Sequence, residues 1–99
     1  MIKASVCKER GALTLTIDGH AGFARIGEDI VCAAASVLSQ SVLFALEGVE
    51  GIQLESDIQP GYLWLMCSDT PVTRTMMAVA EAGLEQLAKQ YPNHVQYDG

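Results

Sequence analysis

The 99 residues make one small domain, too short to build two hydrophobic cores. Hydrophobic residues at 49% exclude a disordered chain, and no apolar run reaches the length of a membrane span. Twelve acidic residues outnumber six scattered basic ones, for a net charge of −6; this excludes a phosphate-binding stripe and suits a basic protein partner.

A mean hydropathy of +0.22 is high for so short a chain and is accounted for if a second copy covers an apolar face, so a homodimer is expected. Cys7, Cys32 and Cys67 are odd in number and widely spaced, with no C-x-x-C for a zinc ribbon or a thioredoxin-type site. The N-terminal MIKASVCKERG has no long apolar leader. Together these features predict a reduced cytoplasmic protein with free thiols, without a nucleic-acid or membrane partner.

Ile2 to Cys7 alternates, with Ile2, Ala4 and Val6 on one face, and Glu9-Arg10-Gly11 supplies a turn. Leu13, Leu15 and Ile17 then alternate with Thr14, Thr16 and Asp18, which predicts a β-hairpin with one buried face that runs out at Gly19-His20. From Asp29 to Glu47 the period-two signal is gone and Ala, Leu and Val dominate, so a helix is expected, ended by Gly48. Its apolar residues lie nearly all round, which predicts a largely buried helix in which Ser36, Ser39, Gln40 and Ser41 need partners.

A second hairpin is expected from Ile52 to Ile58 and Tyr62 to Cys67, joined at Gln59-Pro60-Gly61. Thr70 then caps a helix with Pro71 in its first turn; Val72, Met76, Val79, Gly83 and Leu87 recur at helical spacing and Pro92 closes it. The order β-β-α-β-β-α predicts a single α+β domain over residues 1–99, two helices packed on a mostly antiparallel four-stranded sheet. Strand order is not readable from these patterns. Cys7 and Cys67 fall on strands, His94 in the tail is expected in solvent, and Trp64 with Tyr62 share a strand face that could form a peptide-binding surface or a dimer contact, with core packing the default.

With Asp29 as cap, Cys32 takes the third helical position, where unpaired N–H groups and the positive end of the helix dipole favour negative charge on sulfur. His20 ends a strand, and the loop to Cys32 contains Gly22 and Gly27, so the strand end can fold back to the helix start. An imidazole there would pair with the thiolate and carry protons. Ser36, one turn beyond Cys32, could reach the sulfur or a bound carbonyl, or simply bond back to its own helix. Backbone N–H groups at the helix start could hold an oxyanion, and Asp29 could orient His20 unless capping occupies it. Equally, a lone Cys and a lone His at this spacing are compatible with an inert thiol and a turn residue. A metal is not expected on His20, Asp29 and Cys32, because a fourth ligand and compact spacing are missing, and no cofactor is expected.

Gly19-His20-Ala21, followed by Gly27-x-Asp29-Ile30-Val31-Cys32-Ala33-x-x-Ser36, resembles the ribosomal-processing cysteine protease family, Prp. The resemblance extends over nearly the whole chain, in length, element order and acidic balance. It implies a bacterial cytoplasmic endopeptidase, homodimeric, that removes a short N-terminal extension from the twenty-seventh protein of the large ribosomal subunit. It implies Cys32 as nucleophile and His20 as general base, with Asp29 and Ser36 in supporting places. It also makes residues 21–28, with Gly22, Phe23, Ala24, Arg25, Ile26 and Gly27, the loop that adjusts around substrate. Two rival readings are a non-catalytic ribosome-associated adaptor on the same fold and a thiol hydrolase acting on a small molecule.

Overall fold

The structure, a computed structural model, describes residues 1–25 and 27–99. Strands β1 (Ile2–Glu9) and β2 (Ala12–Asp18) form the first hairpin, and helix α1 (Ile30–Leu46) follows the loop after β2. Strands β3 (Leu54–Gln59) and β4 (Tyr62–Ser68) form the second hairpin, and α2 (Pro71–Gln90) follows it. A fifth strand, β5 (Val95–Asp98), ends the chain. The sheet runs β3-β4-β2-β1-β5, antiparallel except where β5 lies parallel to β1.

The expected four strands are thus five. Val-Gln-Tyr-Asp is too short and too polar to announce itself as a strand; it becomes one by docking on β1, with the Ile2 N–H donating to His94 O at 2.9 Å. β3 also begins later than expected, at Leu54, with Ile52 half-buried ahead of it.

Both helices cover one face of the sheet. Leu13, Leu15, Ile17, Leu63, Leu65 and Cys67 point into that layer, and Leu15 and Leu65 are wholly buried at its centre. Truncating either leucine to alanine costs about 2–5 kcal/mol. Tyr62, Trp64 and Met66 alternate with these residues on β4 and therefore line the opposite face, which no helix covers. Packing in the core is not their role.

Helix α1 is also less buried than its composition suggests. Val31, Ala35, Ser39, Val42, Leu43 and Leu46 face the core, but Ile30, Val37 and Phe44 are exposed. On α2 the core row is Thr73, Met77, Ala80 and Leu84, one position round from the expected row, whose Val72 and Val79 face solvent. The helices meet where Gly83 admits Leu38: a methyl on Gly83 would lie 2.6 Å from Leu38 Cδ2.

Thr70 caps α2 as expected, accepting from the Thr73 N–H at 3.1 Å, while Thr73 Oγ1 accepts from the Thr70 N–H at 2.9 Å. Ser39 settles its hydroxyl within its own helix, donating to Ala35 O at 2.8 Å.

Candidate active site

Asp29 caps α1 in an extended backbone conformation, and one of its oxygens accepts from the N–H groups of both Val31 and Cys32 at 3.0 Å. Its other oxygen accepts from Phe23 N–H at 2.9 Å and Ala24 N–H at 3.3 Å. One carboxylate therefore ties the helix start to the preceding loop. Burial pushes this carboxyl up, but the four backbone donors outweigh it and hold Asp29 below the usual carboxylate range.

This arrangement bears on two possibilities that the sequence leaves open. The N–H groups of Val31 and Cys32 are spent on Asp29, and that of Ala33 on Asp29 O, so these three first-turn donors are already engaged. Among the described residues, the side-chain partners of Asp29 are backbone N–H groups of the loop and the helix, and none is His20.

Cys32 is half-buried at the third helical position. Its Sγ accepts from the Ala21 N–H at 3.2 Å, which brings the chain just after His20 onto the sulfur. His20 is exposed and stands over the β3–β4 turn; a methyl on Gly61 would lie 2.6 Å from its Nε2. The Gly19 N–H donates to Gly61 O at 2.8 Å, so strand end and turn are locked together beneath the imidazole. Gly19 itself, at φ 101°, passes so close to the carbonyl of Met1 that a side chain there would collide with it.

Two cavities adjoin at this point. One, of about 430 Å³, runs between α1 and the β3–β4 turn, past Gln40, Gln59, Pro60 and Tyr62. The other, of about 310 Å³, lies under the loop, past Gly22, Ala24, Gly27 and Asp29. The residues common to both are His20, Cys32 and Ser36. An extended chain crossing from one cavity to the other would pass directly over the sulfur. Ser36 is exposed, on the next turn of the same helix face.

The loop is held from its far side by residues that no local pattern marks. His94 Nδ1 is 2.9 Å from Ala21 O; a carbonyl can only accept, so Nδ1 carries the hydrogen and donates. Phe23 sets its ring edge-on against Tyr91 and His94, at centroid distances of 5.4 and 5.3 Å. His94 is therefore a buttress of the loop, and not the solvated tail residue that its position after Pro92 suggests. Ile26 lies outside the described residues. Among the described residues no cluster of metal-ligating side chains occurs, and no helix is long and apolar enough to cross a membrane.

Residues 1–96 match the family model described as cysteine protease Prp. Two curated relatives, each named ribosomal processing cysteine protease Prp, come from Mycoplasma genitalium and Mycoplasma pneumoniae. The first is 32% identical over 82% of this chain and 82% of its own, the second 33% identical over 99% and 94%. A crystal structure of an essential ribosomal processing protease Prp from S. aureus, with a covalently linked product peptide, superposes with a TM-score of 0.87. It is 20% identical and covers 99% of this chain and 98% of that one, which shows the shared fold.

Proposed function

The chain belongs to the cysteine protease Prp family, and from that premise we propose that it removes the N-terminal extension of the twenty-seventh protein of the large ribosomal subunit, with Cys32 as nucleophile and His20 as general base. The observation that carries this reading is the meeting of His20, Cys32 and Ser36 at the junction of two cavities, with a backbone donor aimed at the sulfur.

The steps follow from the groups present. Cys32 thiolate attacks the scissile carbonyl, a C–S bond forms, and the carbonyl oxygen takes the negative charge. The Ala21 N–H, already at the sulfur, is the donor we assign to that oxyanion, since the N–H groups of Val31 and Cys32 are engaged by Asp29. His20 gives a proton to the leaving amine as the C–N bond breaks. It then takes one from water, whose oxygen attacks the thioester; the C–S bond breaks, the acid leaves, and the Cys32 thiolate and protonated His20 are restored. Asp29 acts by holding helix start and loop in register, and Ser36 lines the path of the substrate.

We propose further that the enzyme works as a homodimer in a bacterial cytoplasm. Val37 at 66%, Val79 at 63% and Phe44 at 57% exposure leave the outer side of the helix pair apolar, around a cavity of about 300 Å³ lined by Leu38, Val42 and Met76. A second copy is the occupant that the apolar composition favours.

Mass spectrometry of the extended ribosomal protein after incubation tests the reaction. Wild type is expected to cut once, and Cys32→Ala to bind the same substrate without cutting it. Cleavage by Cys32→Ala at the wild-type rate would overturn the protease reading in favour of an adaptor.

A further inference from the structure

The open face of the sheet carries an unbalanced charge. The strand register lines up Gln59–Tyr62–Asp18 in one row, Asp57–Trp64–Thr16 in the next and Glu55–Met66–Thr14 in the third. Asp98 and Glu9 project from the same face on β5 and β1. Five of the chain's twelve carboxylates are thus on this face, against Lys3 as its strand-borne cation. All five are exposed, and among the described residues none of them takes part in an ion pair. Lys8 and Arg74 lie on the other side, where both pair with Asp69.

The centre of the face is an aromatic and thioether strip, Tyr62, Trp64 and Met66, half-buried and uncovered by either helix. Carboxylates beside an aromatic ring form a surface for lysine and arginine, by ion pairing at the rim and cation–π contact at the centre. The strip is continuous with the cleft, since Gln59 and Tyr62 line the larger cavity at the junction with Cys32. From there the rows extend along about 14 Å of sheet.

We propose that this face is a docking surface for the basic body of the protein whose N-terminus is cut. The proposal rests on the ribosomal-substrate reading above. A protein that lives on RNA phosphates must be rich in lysine and arginine, so its body is the complement of this face, while its extension occupies the cleft. The face then raises the encounter rate and holds the substrate's body while the cleft selects the bond.

Two substrates separate docking from cutting: the whole extended ribosomal protein, and a short peptide spanning the junction of its extension. Wild type is expected to favour the whole protein by about tenfold in kcat/KM at low salt, an advantage that fades as ionic strength rises. The double variant Glu55→Lys/Asp57→Lys, on an exposed edge strand that tolerates lysine, is expected to lose that advantage through KM. Its kinetics on the short peptide should match wild type. An unchanged KM for the whole protein, an equal loss on both substrates, or a change of oligomeric state in the variant would each overturn the docking surface.

Wild type cutting neither substrate would overturn the proposed cleavage instead, and docking is then read directly. Trp64 is the sole tryptophan, so its emission should change saturably when Cys32→Ala protein is titrated with the ribosomal protein lacking its extension. The charge-reversed variant should lose that response. No response in the Cys32→Ala protein would overturn the proposal.

Discussion

His20 lies against the bare Cα of Gly61, where a methyl group would come within 2.6 Å of Nε2 and 3.0 Å of Cε1. The proposed base is thus seated on a turn that must be glycine twice over, for its φ of +70° and for the ring above it. Gly61→Ala is expected to lower kcat/KM by about tenfold or more by displacing the imidazole. Gly11→Ala is the matched control: its φ is +77°, nothing lies within 4 Å of the added methyl, and it pays only the left-handed strain of about 1 kcal/mol. Equal activity in the two variants, compared at equal folded fraction, would argue against a seated His20.

Asp29→Asn separates the two duties of that carboxylate. Asparagine still accepts from Val31 and Cys32, but its amide nitrogen cannot accept from Phe23 and Ala24. Activity is expected to fall by about tenfold to a hundredfold while the helix remains capped. In wild type the folded carboxyl ionises below its unfolded value of about 3.9. Its stabilisation is therefore full above that pH and lost as pH falls through the lower folded value. Asp69, held down by the Arg74 guanidinium and by Lys8 against the upward push of burial, adds to the same acid loss. Thermal melts from neutral pH to about pH 3 should show a shallower decline for Asp29→Asn than for wild type.

The three thiols should alkylate in a fixed order. Cys32 meets the Ala21 donor at the helix start and is expected to react first with iodoacetamide near neutral pH. Cys7 is exposed on the open face of the sheet and should follow at the rate of an ordinary thiol. Cys67 is 1% exposed, and burial, with Asp69 nearby, pushes its thiol up against a hydrogen bond with Thr73; it should stay unlabelled until the protein unfolds. Mass mapping over time decides the order, and labelling of Cys7 as fast as Cys32 would count against an activated nucleophile.

His94→Ala should loosen the loop without touching the cleft. It removes the donor to Ala21 O and one of the two rings that hold Phe23. Backbone amides of residues 21–25 are expected to exchange faster, and KM to rise more than kcat falls. Unchanged exchange in that segment would show that the contact carries no weight.

Sedimentation over a dilution series should find a dimer at micromolar concentration. Phe44→Glu and Val79→Glu each place a charge on the apolar side of the helix pair and are expected to shift the protein to monomer. A wild-type monomer at every concentration would refute the interface.

What the sequence determined by itself was whatever depends on neighbours along the chain. Alternation in Leu13–Ile17 and Tyr62–Cys67, the caps at Asp29 and Thr70, and the breaks at Gly48 and Pro92 are local, and each element they mark is present. The places of His20 just past a strand and of Cys32 in the first turn of a helix were legible for the same reason, because a strand end and a helix start are local features. Tertiary structure decided what depends on distant residues. β5 exists because β1 offers it an edge, and His94 reaches Ala21 across 73 positions of sequence. Ala and Val all round α1 cannot say which side a single sheet will cover, so Val37 and Phe44 came out exposed. The Asp29 cap was local, but its second oxygen found its partners only when the loop folded back and presented the Phe23 and Ala24 N–H groups. A carboxylate has two oxygens, and only the folded chain could show that each was already taken.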